Sequence, residues 1–161
     1  MKIHFREATQ ADLSFLEKML FEAFFWHPEQ TRPPFLQFLR QPEIQKGLAD
    51  WGRAGDRAII ALVNEALVGA AWYRLWTDDE HSYGYVDSNT PEVGMAVVAG
   101  QRSQGVGRAL LRRLVEVARV QRMPALSLSV EPANFALRLY ESEGFVKIGE
   151  SGTSWTMILY L

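Results

Sequence analysis

The chain has 161 residues, 48% of them hydrophobic and 22% charged, an ordinary globular composition that excludes wholesale disorder. Its formal net charge of -2 provides no basic excess for nucleic acid, and the absence of cysteine excludes disulfides and any acyl carrier built on a protein thiol. A thiol, if the chemistry needs one, must arrive with a ligand.

Length predicts a single domain over residues 1–161. The opening Met1-Lys-Ile-His-Phe-Arg-Glu7 has no apolar run suited to a signal peptide, and no stretch is apolar enough to span a bilayer, so a cytoplasmic protein without membrane partners is expected. His4, His27 and His81 are too scattered to form a metal site.

Ile3 to Ala8 alternates as a strand and meets Thr9-Gln-Ala-Asp12, whose spacing starts a helix. Leu13, Leu16, Leu20 and Phe24 carry that helix to about Phe25, before His27-Pro28. Residues 26–57 interleave prolines with apolar side chains and predict one or two short helices. Such a segment can roof a pocket, although its aromatics, Phe35 and Trp51 among them, read first as local core. Ala58 to Val63 and Leu67 to Trp76 predict a hairpin turning at Asn64-Glu-Ala66. The acidic segment Asp78 to Asn89 reads first as a solvated loop, and alternatively as a mouth that attracts a cationic amine.

Val93 to Val98 is a short β-branched run between Pro91 and Gly100, as expected of an interior strand. From Val106 the period changes: Leu110, Leu114, Val117 and Ala118 share one face, and Arg108, Arg112, Glu116 and Arg119 the other. Between the two patterns lie Gly105 and Gly107, which keep no Cβ between a ligand and amides at the positive end of the helix. That arrangement suits a phosphate or pyrophosphate. Gly100-Gln-Arg-Ser-Gln-Gly105 has nucleotide-loop spacing, but Val106-Gly107 stands where Lys-Ser/Thr would be required. Leu110 likewise occupies the third glycine position of a dinucleotide fingerprint.

After Met123-Pro124, Ala125 to Val130 alternates with Leu126, Leu128 and Val130 on one face, predicting a strand parallel to the central one. Asn134 is placed to cap a further helix and Gly144 to end it. Phe145 to Gly149 and Ser154 to Tyr160 predict a closing hairpin, and the apolar Trp155 to Leu161 run would permit a homodimer, although a purely intramolecular strand would look the same.

Arg102-Ser-Gln-Gly105-Val-Gly107 is an R/Q-x-x-G-x-G turn, and Asn134-Phe-Ala-Leu-Arg-Leu-Tyr140-Glu-Ser-Glu-Gly144-Phe145 follows it in order. Together they resemble the two signatures of the GNAT superfamily of N-acetyltransferases. The resemblance runs from about Ile3, with only element order matching before Ala58. It implies an α/β (α+β) fold: a mixed sheet of six to seven strands with about four helices, splayed between two central parallel strands.

It also implies acetyl-CoA as co-substrate, its pyrophosphate held by Arg102, Ser103, Gln104, Gly105, Val106, Gly107 and Arg108. The pantetheine arm would pair with Met95, Ala96 and Val97 and touch Asn134, while the Val97 amide polarises the thioester. Tyr140 matches the tyrosine that protonates the leaving thiolate. An alkyl ammonium, with a pKa of about 10, needs a base, for which Glu92 is the candidate and Glu131 the second choice. An ordinary exposed strand-end carboxylate is the alternative for Glu92, and a capping role alone for Asn134. The expected activity is acetyl transfer to a primary amine of a small molecule or peptide by direct attack. A non-catalytic acyl-CoA-binding module is the alternative.

Overall fold

The computed structural model describes residues 2–161. Its elements are β1 (Ile3–Glu7), α1 (Leu13–Phe24), α2 (Phe35–Leu39), α3 (Pro42–Leu48), β2 (Arg57–Val63), β3 (Ala66–Arg74) and β4 (Glu92–Val97). Then come α4 (Val106–Val120), β5 (Ala125–Val130), α5 (Ala136–Ser142), β6 (Val146–Ser151) and β7 (Ser154–Tyr160). The strands form one seven-stranded mixed sheet in the order β1-β2-β3-β4-β5-β7-β6.

Local chemistry accounts for the element ends. The Thr9 amide donates to the Asp12 carboxylate at 2.8 Å, so the predicted box forms and feeds a short 3-10 turn into α1. Asn64 and Glu65 both have positive φ, 50° and 68°, the left-handed pair that a two-residue hairpin needs. α5 ends as Gly144 turns to φ 101°, with Phe145 N–H donating to Tyr140 C=O and Gly144 N–H to Glu141 C=O. This double bond pattern is a Schellman motif, closed by the edge-on packing of Phe145 against Tyr140.

The period-2 side chains of β2 and β3 divide between two cores. Ile59, Ala61, Ala71 and Tyr73 face the α4 side with Leu110, Leu111 and Leu114, whereas Ala58, Ile60, Ala70 and Trp72 face the α1 side with Leu16 and Met19. Each fully buried leucine contributes about 2 kcal/mol of transfer free energy, so the sheet is clamped from both faces. β4 lies at its centre, antiparallel to β3 along its whole length.

β4 and β5 are parallel but meet at one registered pair, Glu92 with Ser127. The Ser127 amide donates to the Pro91 carbonyl at 3.0 Å, and beyond that point the strands part. Such an opening is what the motif resemblance implied. Sequence periodicity alone could not show it, because a splay removes ladder bonds without altering side-chain alternation.

Candidate active site

The opening can be built from the hydrogen-bond phase of β4. Val98 N–H donates to Val68 C=O, so the alternation of an antiparallel ladder turns residues 94, 96 and 98 toward β3 and 93, 95 and 97 away from it. The amides of Met95 and Val97 therefore face the gap where β5 has diverged. The Val97 carbonyl faces the same way and accepts Arg102 Nε at 2.9 Å.

A cavity of about 460 Å³ occupies this gap. Its walls include Met95, Ala96 and Val97, the turn residues Arg102, Ser103, Gly105, Gly107 and Arg108, and Asn134 and Tyr140 across from them. Gly105 is the N-cap of α4 in left-handed conformation, φ 83°, and no side chain caps this terminus. A Cβ at Gly105 would meet nothing within 4 Å, and one at Gly107 would make only ordinary contacts, 3.5 Å to Met95 and 3.6 Å to Leu139. Packing does not demand glycine at 107. The first-turn amides of a 15-residue helix are left without side-chain acceptors beside an open cradle, which fits a diphosphate.

Not every turn residue contributes its side chain to this cavity. Gln104 is exposed and does not line it, and the Val106 side chain is buried in the core at 1% exposure, leaving only its amide for a ligand. Arg108 lies at the wall, but its guanidinium is held by Ser142 Oγ at 2.9 Å and Glu143 at 2.5 Å, tying α4 to the end of α5. Arg102 also reaches Glu22 at 3.1 Å. Glu22 in turn accepts two bonds from Arg32, which hold its carboxyl below the usual range and keep it charged. Asn134 sits one residue before the predicted position: Phe135 is the N-cap of α5, while Asn134 Oδ1 accepts the Ala136 amide at 2.9 Å.

A second cavity, of about 510 Å³, adjoins the first and shares Trp26, Val93, Gly94, Ser129 and Asn134 with it. Glu92 and Glu131 line only this one, and Tyr140 lines only the first. Phe35 and Trp51, singled out from sequence, line neither. Phe35 packs on Phe21, and Trp51 is a core residue beneath Arg74. The aromatic wall comes instead from Phe24, Trp26, Trp72, Trp76 and Tyr83. The acidic loop contributes Ser82 and Tyr83 rather than its carboxylates, and Asp78 accepts the Tyr85 hydroxyl.

Glu92 is not the exposed strand-end carboxylate of the alternative reading. Its Oε2 accepts the Gly84 amide at 3.1 Å, and its Oε1 is buried without a partner. Burial pushes its pKa up to about 7, against weaker opposing effects from Gly84, the nearby Trp76 indole, His81 and Lys46. The Trp76 Nε1 is itself buried and unpartnered, and it lies close enough to favour the charged carboxylate without reaching hydrogen-bond geometry. Tyr140 is buried, and burial alone pushes its hydroxyl up to about 12.

Gly84 was missed in the sequence. The loop threads it between β4 and β5, where Ser127 Oγ donates to its carbonyl at 2.7 Å, and a Cβ there would lie 2.7 Å from the Leu128 carbonyl carbon. The available signal was Ser127 itself, a polar residue with no exposure in an apolar strand. Gly94 is constrained similarly, since a Cβ would collide with the Trp72 indole at 2.5 Å.

A sequence profile of the Acetyltransferase (GNAT) family matches residues 15–145. The chain belongs to the GNAT acetyltransferase family. As a GNAT acetyltransferase it takes acetyl-CoA as acyl donor, and the open cradle at Gly105 is a physical fit for that group's diphosphate. Solved structures with the same fold include the ribosomal-protein-alanine N-acetyltransferase of Brucella melitensis, 24% identical over 98% of this chain and 99% of that one, with a TM-score of 0.71. PaiA N-acetyltransferase from Thermoplasma acidophilum, in complex with coenzyme A, is 16% identical over 100% of both chains, with a TM-score of 0.73. YncA from Salmonella typhimurium, with its cofactor acetyl-CoA, is 23% identical over 99% of this chain and 94% of that one, with a TM-score of 0.66. No curated protein matches the chain. Among the described residues of this GNAT acetyltransferase no group of three or more His, Asp or Glu could hold a metal, and no helix is long and apolar enough to cross a membrane.

Proposed function

We propose that the protein transfers acetyl from acetyl-CoA to a primary amine of a small molecule or peptide, by direct attack while both substrates are bound. The observation that carries this reading is the pair of adjoining cavities, with the acid candidate on one and the base candidate on the other. Acetyl-CoA supplies an activated thioester. The amides of residues 105–108 hold its diphosphate, beside the one terminal nitrogen of Arg102 that Val97 and Glu22 leave unbonded, and the outward-facing edge of Met95 and Val97 orients the arm as an added strand would. Complexes with coenzyme A or acetyl-CoA in structures of the same fold support the assignment of that cavity.

The acceptor enters from the other side and must lose a proton before its nitrogen can attack. A carboxylate whose pKa is about 7 is matched to that task near neutral pH, and Glu92 lines the acceptor cavity. As the C–N bond forms, negative charge grows on the carbonyl oxygen, where the Val97 N–H can stabilise it. The C–S bond then breaks, the sulfur takes a proton from Tyr140, whose raised pKa keeps it protonated beforehand, and the proton that the acylated nitrogen sheds in becoming an amide restores the phenol. Asn134 lies at the junction of the cavities and positions the arm through whatever capacity its cap bond leaves.

Thiol release on mixing protein, acetyl-CoA and a primary amine tests the activity. Tyr140→Phe should keep acetyl-CoA affinity and lower kcat by about 100-fold, the usual worth of a general acid. An unchanged kcat would remove Tyr140 from this role.

A further inference from the structure

The acceptor cavity carries a recognisable chemistry of its own. Phe24, Trp26, Trp72, Trp76 and Tyr83 dominate its apolar wall, and two of these are conspicuously exposed for aromatic residues, Phe24 at 39% and Tyr83 at 54%. Exposed rings at the mouth of a cavity are apolar surface awaiting a cover. The charged lining consists of Glu92, Glu131 and Arg74.

Arg74 cannot serve as a free counter-ion. It is 1% exposed, its Nε and one terminal nitrogen donate to Asp56 at 3.0 and 2.7 Å, and the other donates to the Lys46 carbonyl at 2.9 Å. Two cations just outside the cavity are also engaged. Lys46 Nζ binds Glu43 and the His81 carbonyl, and Arg53 lies over the Trp76 ring at 5.5 Å with its guanidinium 3.7 Å from Glu80. The cavity therefore offers an entering ligand aromatic faces and carboxylates, and no unpaired positive charge among the described residues.

We infer that the acceptor is a primary amine carried on an aromatic body and lacking a carboxylate beside the amine. This rests on the acetyl-transfer reading and narrows its substrate class. The ammonium form is drawn in by Glu131 and the half-buried Trp26 indole, the Trp76 face being already covered by Arg53, while the ring of the substrate covers Phe24 and Tyr83. An α-amino acid would bring its carboxylate close to the attacking nitrogen, hence toward Glu92, with Arg74 already neutralised. Like-charge repulsion without a counter-ion disfavours it.

The test compares phenethylamine and tryptamine with phenylalanine, tryptophan, spermidine and propylamine, reading coenzyme A thiol release. The arylalkylamines should exceed the amino acids, the polyamine and propylamine by about ten-fold or more in kcat/KM, a difference of about 1.4 kcal/mol. Phenylalanine or spermidine turned over as well as phenethylamine would overturn the inference while leaving acetyl transfer standing. No turnover of any amine, with acetyl-CoA binding seen by calorimetry, would overturn both. Tyr83→Ala should raise KM for phenethylamine several-fold while KM for propylamine and the melting temperature hold; Phe24→Ala should raise the same KM with some loss of melting temperature, since its ring packs edge-on against Phe38. Equal KM for phenethylamine in both variants and wild type would also overturn it.

Discussion

At the residue scale, Glu92 shows how environment converts an ordinary side chain into a candidate base. The same carboxyl on an exposed strand end would titrate near 4.5, and enclosure by Gly84, Trp76 and the strands moves it to about 7. Because the folded pKa is raised, the favourable contribution of the neutral form is complete below about 4.5 and is lost as pH climbs through about 7. Glu92→Gln should therefore gain stability relative to wild type across that window, by up to about 3 kcal/mol, in urea titrations at several pH values. The variant should also lose the rise in kcat/KM near pH 7 and need higher pH for the same rate, as the amine must then deprotonate unaided. A pH–rate profile identical to wild type would assign the base elsewhere. Glu92 could be nominated from the sequence by its position at the start of the central strand, but its burial could not, since that depends on a loop residue eight positions earlier.

At the element scale, the turn from β4 into α4 and the loop containing Gly84 do opposite things with glycine. Gly107 leaves space that the protein does not need, so Gly107→Glu should fold normally. It should nonetheless abolish acetyl-CoA binding by calorimetry, since its carboxylate would oppose the diphosphate at the helix terminus. Retained affinity would contradict the cradle. Gly84 fills space that nothing larger can share. Gly84→Ala should cost about 1–3 kcal/mol in the urea midpoint, an overpacking penalty against the β5 backbone. It should also move the pH midpoint of the rate downward by admitting water to Glu92, because burial outweighs the Gly84 hydrogen bond among the causes of the raised pKa. The two signature motifs were legible because each encodes a local requirement, namely free amides at one helix start and a left-handed residue at another helix end. Ser127 and Gly84 make their requirement jointly, across 43 positions of chain, and neither signals it alone.

At the scale of the whole molecule, the sheet divides labour between its faces. Tyr140 belongs to the core on the α4 side, whereas Glu92 shares a strand face with Gly94 and Ala96, which turn toward α1. Only the splay joins them. A ligand filling the splay would replace missing ladder bonds, so coenzyme A should act as a structural brace. At 100 times its Kd it should add about 2.7 kcal/mol and raise Tm by about 5–10 °C in calorimetry. Glu22 extends this link, since its bonds to Arg32 and Arg102 join the proline-rich segment after α1 to the cradle.

The sequence by itself determined the order of elements, the strand-to-helix cradle, the hairpins and the helix carrying Tyr140. Each is written in periodicity or in turn chemistry within a few residues. Tertiary structure alone decided which aromatics line the second cavity, that Trp72 and Trp76 do and Phe35 and Trp51 do not. It alone enclosed Glu92, and it alone engaged Arg74 and Arg108 with carboxylates from distant elements. The physical reason is range. Backbone conformation answers to near neighbours, whereas burial and charge pairing depend on what the fold brings alongside.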